Sequence, residues 1–178
     1  MTRENPSIIV CFKVAFWRVY AEYLFTGASG DSVIYHYETS VRRLTGKLND
    51  RRRGEIISLY RNQGWWKAQD DLQNDLLQRL IAGSHIFVVA ERDGVIIGIG
   101  RVISDGVSDA YIQDITVSPS CRRQGVGRKI LLTLLKHLAD DGIPWIGLIA
   151  EPGSVELYES IGFRCMPGSV PMLMVRET

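Results

Sequence analysis

The stretch Ile115-Thr116-Val117-Ser118-Pro119-Ser120-Cys121-Arg122-Arg123-Gln124-Gly125-Val126-Gly127-Arg128 decides how this chain reads. Its first residues close a β-rich run from Ala110 to Val117, and its last open a helix. In that helix Val126, Ile130, Leu131, Leu134, Leu135 and Leu138 share one face, while Arg128, Lys129, Thr133 and Lys136 share the other. A strand therefore runs into a helix through a loop that carries two glycines. The first turn of a helix leaves N–H groups without intrahelical acceptors and a partial positive charge. Glycines let a phosphate approach that backbone, and Arg122, Arg123 and Arg128 add cations beside it. The stretch reads as a site for a phosphate or pyrophosphate. The competing reading is a plain strand-to-helix turn in which glycine only relieves packing.

Two other phosphate motifs fail here. A Walker A loop needs Gly-Lys followed by Ser or Thr, and none occurs. A dinucleotide fingerprint needs a third glycine three residues after Gly127, where Ile130 stands.

Outward from this stretch, turn signals divide the chain. Upstream, Val33 to Glu38 is a short β-rich run. Asn49-Asp50 can cap a helix carrying Ile56, Ile57, Leu59 and Tyr60, which stops at Asn62-Gln63-Gly64. A second helix is expected from about Asp70 to Ile81. His85 to Glu91 and Val95 to Ile103 flank the turn Arg92-Asp93-Gly94, a hairpin signal. Downstream, Trp145 to Ala150 reads as a buried strand and Ser154 to Ser160 as a short helix. Phe163 to Met166 and Met172 to Arg176 are expected to close as a final strand pair. Strand–helix–strand units imply parallel pairing and hairpins imply antiparallel pairing, so the class is a mixed α/β sheet with helices on both faces.

The remaining composition excludes more than it assigns. At 178 residues the chain amounts to one domain and a small remainder. With 46% hydrophobic and 23% charged residues it is neither disordered nor fibrous. A net charge of +1 demands neither nucleic acid nor an anionic membrane. Cys11, Cys121 and Cys165 are odd in number and form no CxxC pair, so a reducing cytoplasm is expected. His36, His85 and His137 match no ligand spacing, and no metal site is expected. Residues 1–31 read as an N-terminal extension and 32–178 as the domain. Lys13, Arg18 and Glu22 interrupt the apolar run from Ser7 to Phe25, which argues against a membrane span or a signal peptide. That segment reads as a strand or helix packed on the domain or on a partner subunit, which suits a homodimer.

The chain resembles the GCN5-related N-acetyltransferases (GNAT). Arg122-Arg123-Gln124-Gly125-Val126-Gly127 fits that family's Q/R-x-x-G-x-G/A motif, and Leu157-Tyr158-Glu159-Ser160-Ile161-Gly162-Phe163 fits its later L-Y-x-x-x-G-F motif. The segment Tyr111 to Val117 also looks like the plant serotonin N-acetyltransferase branch. The resemblance implies a mostly antiparallel sheet with a splayed parallel strand pair, and acetyl-CoA as co-substrate. It implies that Ile115, Thr116 and Val117 hold the pantetheine arm. Arg122, Arg123, Gln124, Gly125, Val126, Gly127 and Arg128 would hold the pyrophosphate. It makes Tyr158 the donor of a proton to the leaving thiolate; otherwise Tyr158 is an amphipathic core residue. Where family members often carry an Asn contacting the cofactor arm, this chain has Glu151, followed by Pro152-Gly153, so Glu151 is expected to face the acceptor.

Asp114 is the candidate general base, because a carboxylate between Ile112 and Ile115 is seldom buried without a purpose. Alternatively it bonds neighbouring backbone and shapes the sheet. Asp109 and Glu38 stand next in line as bases. Trp65-Trp66 is either part of the acceptor site or buried as core. The cluster Arg42, Arg43, Lys47, Arg51, Arg52 and Arg53 either attracts an acidic substrate or is a solvated face. The function expected is transfer of an acetyl group from acetyl-CoA to a primary amine of a small molecule or a peptide. The alternative is a non-catalytic acyl-CoA-binding regulator of the same fold.

Overall fold

The computed structural model describes residues 38–67 and 76–175. The extension 1–31, most of the run 33–38 and the start of the helix expected over 70–81 lie outside these residues. Five strands form one sheet in chain order: β1 (Ser40–Arg43), β2 (Ile86–Arg92), β3 (Val95–Ser104), β4 (Asp109–Val117) and β5 (Trp145–Gly147). The first four pair antiparallel, and β5 runs parallel to β4.

Helix α1 (Asp50–Asn62) begins at Asn49, whose side chain accepts the Arg52 N–H at 2.9 Å, as the Asn-Asp pair suggests. Its Ile56, Leu59 and Tyr60 join Leu77 of α2 (Leu76–Ala82) over Phe87, Val89 and Ile99 on one face of the sheet. Helix α3 (Val126–Asp140) covers the other face with Ile130, Leu131, Leu134 and Leu138. Cover on both faces explains why β2 and β3 are buried along unbroken runs, Ile86 to Ala90 and Ile96 to Gly100.

Two glycines of β3 bring α3 close. A Cβ on Gly98 would lie 2.9 Å from Ile130 Cδ1, and one on Gly100 only 2.6 Å from Ile130 Cγ2. Contact this close seats the helix directly on β3 and sets its N-terminus at the end of β4. Gly100→Ala is therefore expected to destabilise the fold by about 1–3 kcal/mol through overpacking. A urea titration checks it, as a lower midpoint with an unchanged slope; an unchanged midpoint would show that α3 can step back without cost.

The final strand pair does not form. After the short helix α4 (Val155–Glu159), no described residue from 163 to 175 is in a strand. Pro167-Gly168 makes a turn, and the segments on either side of it join neither each other nor the edge of the sheet. Met172 and Leu173 consequently stand 93% and 88% exposed.

Candidate active site

The sheet is irregular where the sequence places the chemistry. Ile99 pairs with Thr116, but Arg101 pairs with Gln113, so Gly100 faces both Asp114 and Ile115. This is a β-bulge, and Asp114 makes it with a left-handed backbone, φ 55°. Asp tolerates that conformation better than most residues, because its short polar side chain can bond locally. Pairing of β4 with β5 covers only Asp109 to Tyr111 against Trp145 to Gly147. Beyond Tyr111 no strand among the described residues borders β4 on that side, so the two strands part around the bulge.

Asp114 is held from two sides. Arg101 Nε donates to its Oδ2 at 2.5 Å, and Tyr60 Oη donates to the same oxygen at 2.9 Å. Arg101 Nη2 also donates to Gln113 Oε1 at 2.6 Å. One turn further along α1's end, Gln63 Nε2 donates to Thr116 Oγ1 at 2.5 Å. Burial, then the Asp114 charge and hydrogen bond, push the Tyr60 phenol well above its ordinary range against a smaller opposing effect of Arg101. Tyr60 thus remains a neutral donor. Sequence reasoning missed Arg101 and treated Tyr60 only as core. The available signals were one arginine inside the apolar run of β3 and a phenol ending a buried helix face.

The loop after β4 opens with a 3₁₀ turn, Pro119–Cys121. Arg122 Nε donates to Val117 O at 3.1 Å and ties the loop back to the strand. Gln124 turns away from the helix: its Nε2 donates to Ser120 O at 3.0 Å, and its Oε1 accepts from Arg92 Nη1 at 2.9 Å. Its side chain therefore builds the loop. Arg123 takes a positive φ of 61°, and Gly125 caps α3 at φ 77° with no side-chain bond to the first turn. The side of Gly125 where a Cβ would stand is open. Lys129 N already bonds Gly125 O at 3.0 Å, whereas the amides of Val126, Gly127 and Arg128 belong to the first turn, where a helix supplies no acceptor. The Val126 side chain is buried, so only its backbone can meet a ligand.

Helix α4 packs beside that turn. A Cβ on Gly127 would touch Leu157 Cδ2 at 3.7 Å, and Arg128 Nη1 donates to Ser160 Oγ at 2.7 Å. Tyr158, between Leu157 and Ser160, is half-buried and meets Phe163 edge-on with ring centroids 6.0 Å apart. Burial raises its phenol above the usual value; the Glu151 charge adds to this, and a Ser154 hydrogen bond opposes it. Glu151 is exposed, and its carbonyl accepts Ser154 N at 3.0 Å and Ser154 Oγ at 2.6 Å, closing the turn before α4.

The two sequence motifs thus meet at the start of α3, and the bulge lies on the strand leading into it. The spare carboxylates lie elsewhere. Asp109 opens β4 at the end away from the bulge, and Glu38 is exposed before β1. Trp66 stacks on Tyr60 at 4.5 Å and 15°, and Trp65, 41% exposed, tilts against the same ring. Trp66 is packed, and Trp65 is the more exposed of the two. The arginine cluster is largely engaged within the fold. Arg42 and Arg52 meet Glu91, Arg51 meets Glu55, and Arg43 donates to the His85 carbonyl. Among the described residues no group of acidic, His and Cys side chains could hold a metal, and no helix is long and apolar enough to cross a membrane.

Comparison with known proteins agrees with this fold. A model of the acetyltransferase (GNAT) domain matches residues 56–171. Serotonin N-acetyltransferase 2, chloroplastic, of Oryza sativa subsp. japonica is 35% identical over 74 residues, covering 42% of this chain and 37% of that protein. An uncharacterized N-acetyltransferase, ycf52, of Gracilaria tenuistipitata var. liui is 25% identical over 175 residues, covering 88% of this chain and 95% of its own. Among solved structures, AAC(6')-Iy in complex with the bisubstrate analogue CoA-S-monomethyl-acetylneamine superposes with a TM-score of 0.60 at 20% identity. That superposition covers 78% of this chain and 99% of the other, and it shows the shared fold.

Proposed function

The chain belongs to the GNAT acetyltransferase family, and from that premise we propose that it transfers the acetyl group of acetyl-CoA directly to a primary amine of a small molecule or peptide. The observation that carries this reading is the uncapped first turn of α3, open at Gly125, directly after a strand that bulges and parts from its neighbour. Acetyl-CoA supplies the activated acyl thioester. The protein supplies the rest. The amides of Val126, Gly127 and Arg128 bind the pyrophosphate, with Arg122 and Arg123 adding positive field. The backbone of Ile115 to Val117 holds the pantetheine arm along the unpaired edge of β4. An amide at the bulge stabilises negative charge on the acyl oxygen. The free amine attacks the thioester carbon and the C–S bond breaks. Tyr158, kept protonated by burial, donates to the leaving sulfur, and the proton lost by the new amide nitrogen passes through water to restore the phenol.

Serotonin is the first acceptor to try, since the matched rice enzyme is named for it and the half-open Trp65 offers an aromatic face beside the bulge. The test mixes the protein and acetyl-CoA with arylalkylamines, aminoglycosides and lysine peptides, and follows free thiol. Thiol release that depends on one class of amine is the expected result. Binding of acetyl-CoA with no release across the panel would instead favour an acyl-CoA-binding regulator. Absence of binding would remove both.

A further inference from the structure

We propose that Tyr60, Asp114 and Arg101 form a clamp that holds the β4 bulge, so that Asp114 acts as a positioning residue and not as the proton acceptor. The inference rests on the reading of the bulge as the acyl site. Three observations carry it. First, Asp114 has a left-handed backbone (φ 55°), a sparsely populated conformation that persists where surrounding contacts fix it. Second, both donors that hold its side chain converge on one oxygen, Oδ2, from different elements: Tyr60 from α1 and Arg101 from β3. Third, Gln63, which caps the C-terminus of α1, makes a second tie to the strand at Thr116, two residues beyond Asp114. The bulge is thus pinned to the helix on one side and to its neighbouring strand on the other.

Geometry explains why the clamp matters for the reaction. A bulge turns one amide out of the ladder. An amide serves an acyl oxygen only if its direction is set before the charge develops. Misplacement of a reacting group by about 1 Å can cost about 100-fold in rate. The other side of Tyr60 carries Trp66 and Trp65, so whatever packs on Trp65 also presses on the ring that holds Asp114.

The test uses Tyr60→Phe, which keeps the ring stack, and Asp114→Asn, which keeps the shape and tolerates the left-handed backbone. With the acceptor found above, turnover of both variants should fall about 10- to 100-fold, with a smaller rise in the KM for acetyl-CoA because Ile115 to Val117 also hold the pantetheine arm. Their pH profiles should run parallel to that of the wild type, because no proton moves through Asp114. Hydrogen exchange of the free protein should speed up about fivefold at amides 113–117 and stay unchanged in α3. Recovery of the Asp114→Asn rate as pH rises would make Asp114 the base and overturn the clamp. So would unchanged exchange at 113–117, or acceleration spread equally through α3. If the wild type transfers acetyl to no amine, the proposed function fails, and the exchange measurement still decides the clamp.

Discussion

A Gly125→Val protein is expected to fold and yet to bind acetyl-CoA at least about 100-fold more weakly than the wild type. Gly125 caps α3 with φ 77°, a conformation that costs a β-branched residue roughly 1–2 kcal/mol or more. The chain would relieve that strain by rotating the peptide units that follow, which are those whose amides face the ligand. The new side chain would also stand in the open space beside the first turn. Charge-assisted bonds of this kind contribute about 1.5–3 kcal/mol each, so misdirecting one or two accounts for the loss. Gly125→Asn separates the causes, because Asn accepts the left-handed backbone but still fills the space. An intermediate loss is expected from it. Titration calorimetry with acetyl-CoA decides, and unchanged affinity in a folded Val variant would remove the loop as the binding site.

How much of this was legible in the sequence depends on the range of the interaction. α3 was readable because its apolar face repeats at helical spacing and a glycine precedes it, both local properties. The mix of antiparallel and parallel pairing followed from hairpin signals and one crossover. The bulge left only a faint trace: the apolar positions Ile112, Ile115 and Val117 slip out of strict alternation at Asp114. Its partners left less. Tyr60 and Arg101 lie 54 and 13 residues from Asp114 and meet it only once the sheet and α1 are packed. Gln124 fits the phosphate motif by position, yet its side chain belongs to Arg92 and Ser120, a contact no spacing rule reveals. The C-terminal strand pair failed for the opposite reason. Its β-rich pattern is genuine, but residues 163–175 join no edge of the sheet, and pattern alone does not supply a partner edge.

Removing a single oxygen from Tyr158 should separate chemistry from binding. Tyr158→Phe keeps the edge-on contact with Phe163 and the helix beside α3, so acetyl-CoA affinity should change little. If the hydroxyl protonates the leaving sulfur, turnover should fall about 10- to 10⁴-fold. The pH dependence has a defined sign. Burial raises the phenol above the ordinary tyrosine value of about 10, so the donor form persists through neutral pH and no tyrosine-linked loss of rate should appear below about pH 10. An ordinary thiol titrates near 8.5, and above that pH a leaving thiolate needs a donor less. The gap between wild type and Tyr158→Phe should therefore be widest at neutral pH and narrow as the solution turns alkaline. Profiles of kcat for both proteins on one amine test this directly. A constant gap across pH would mean that the hydroxyl orients substrate without giving up its proton. Undiminished turnover in the Phe variant would assign protonation to water.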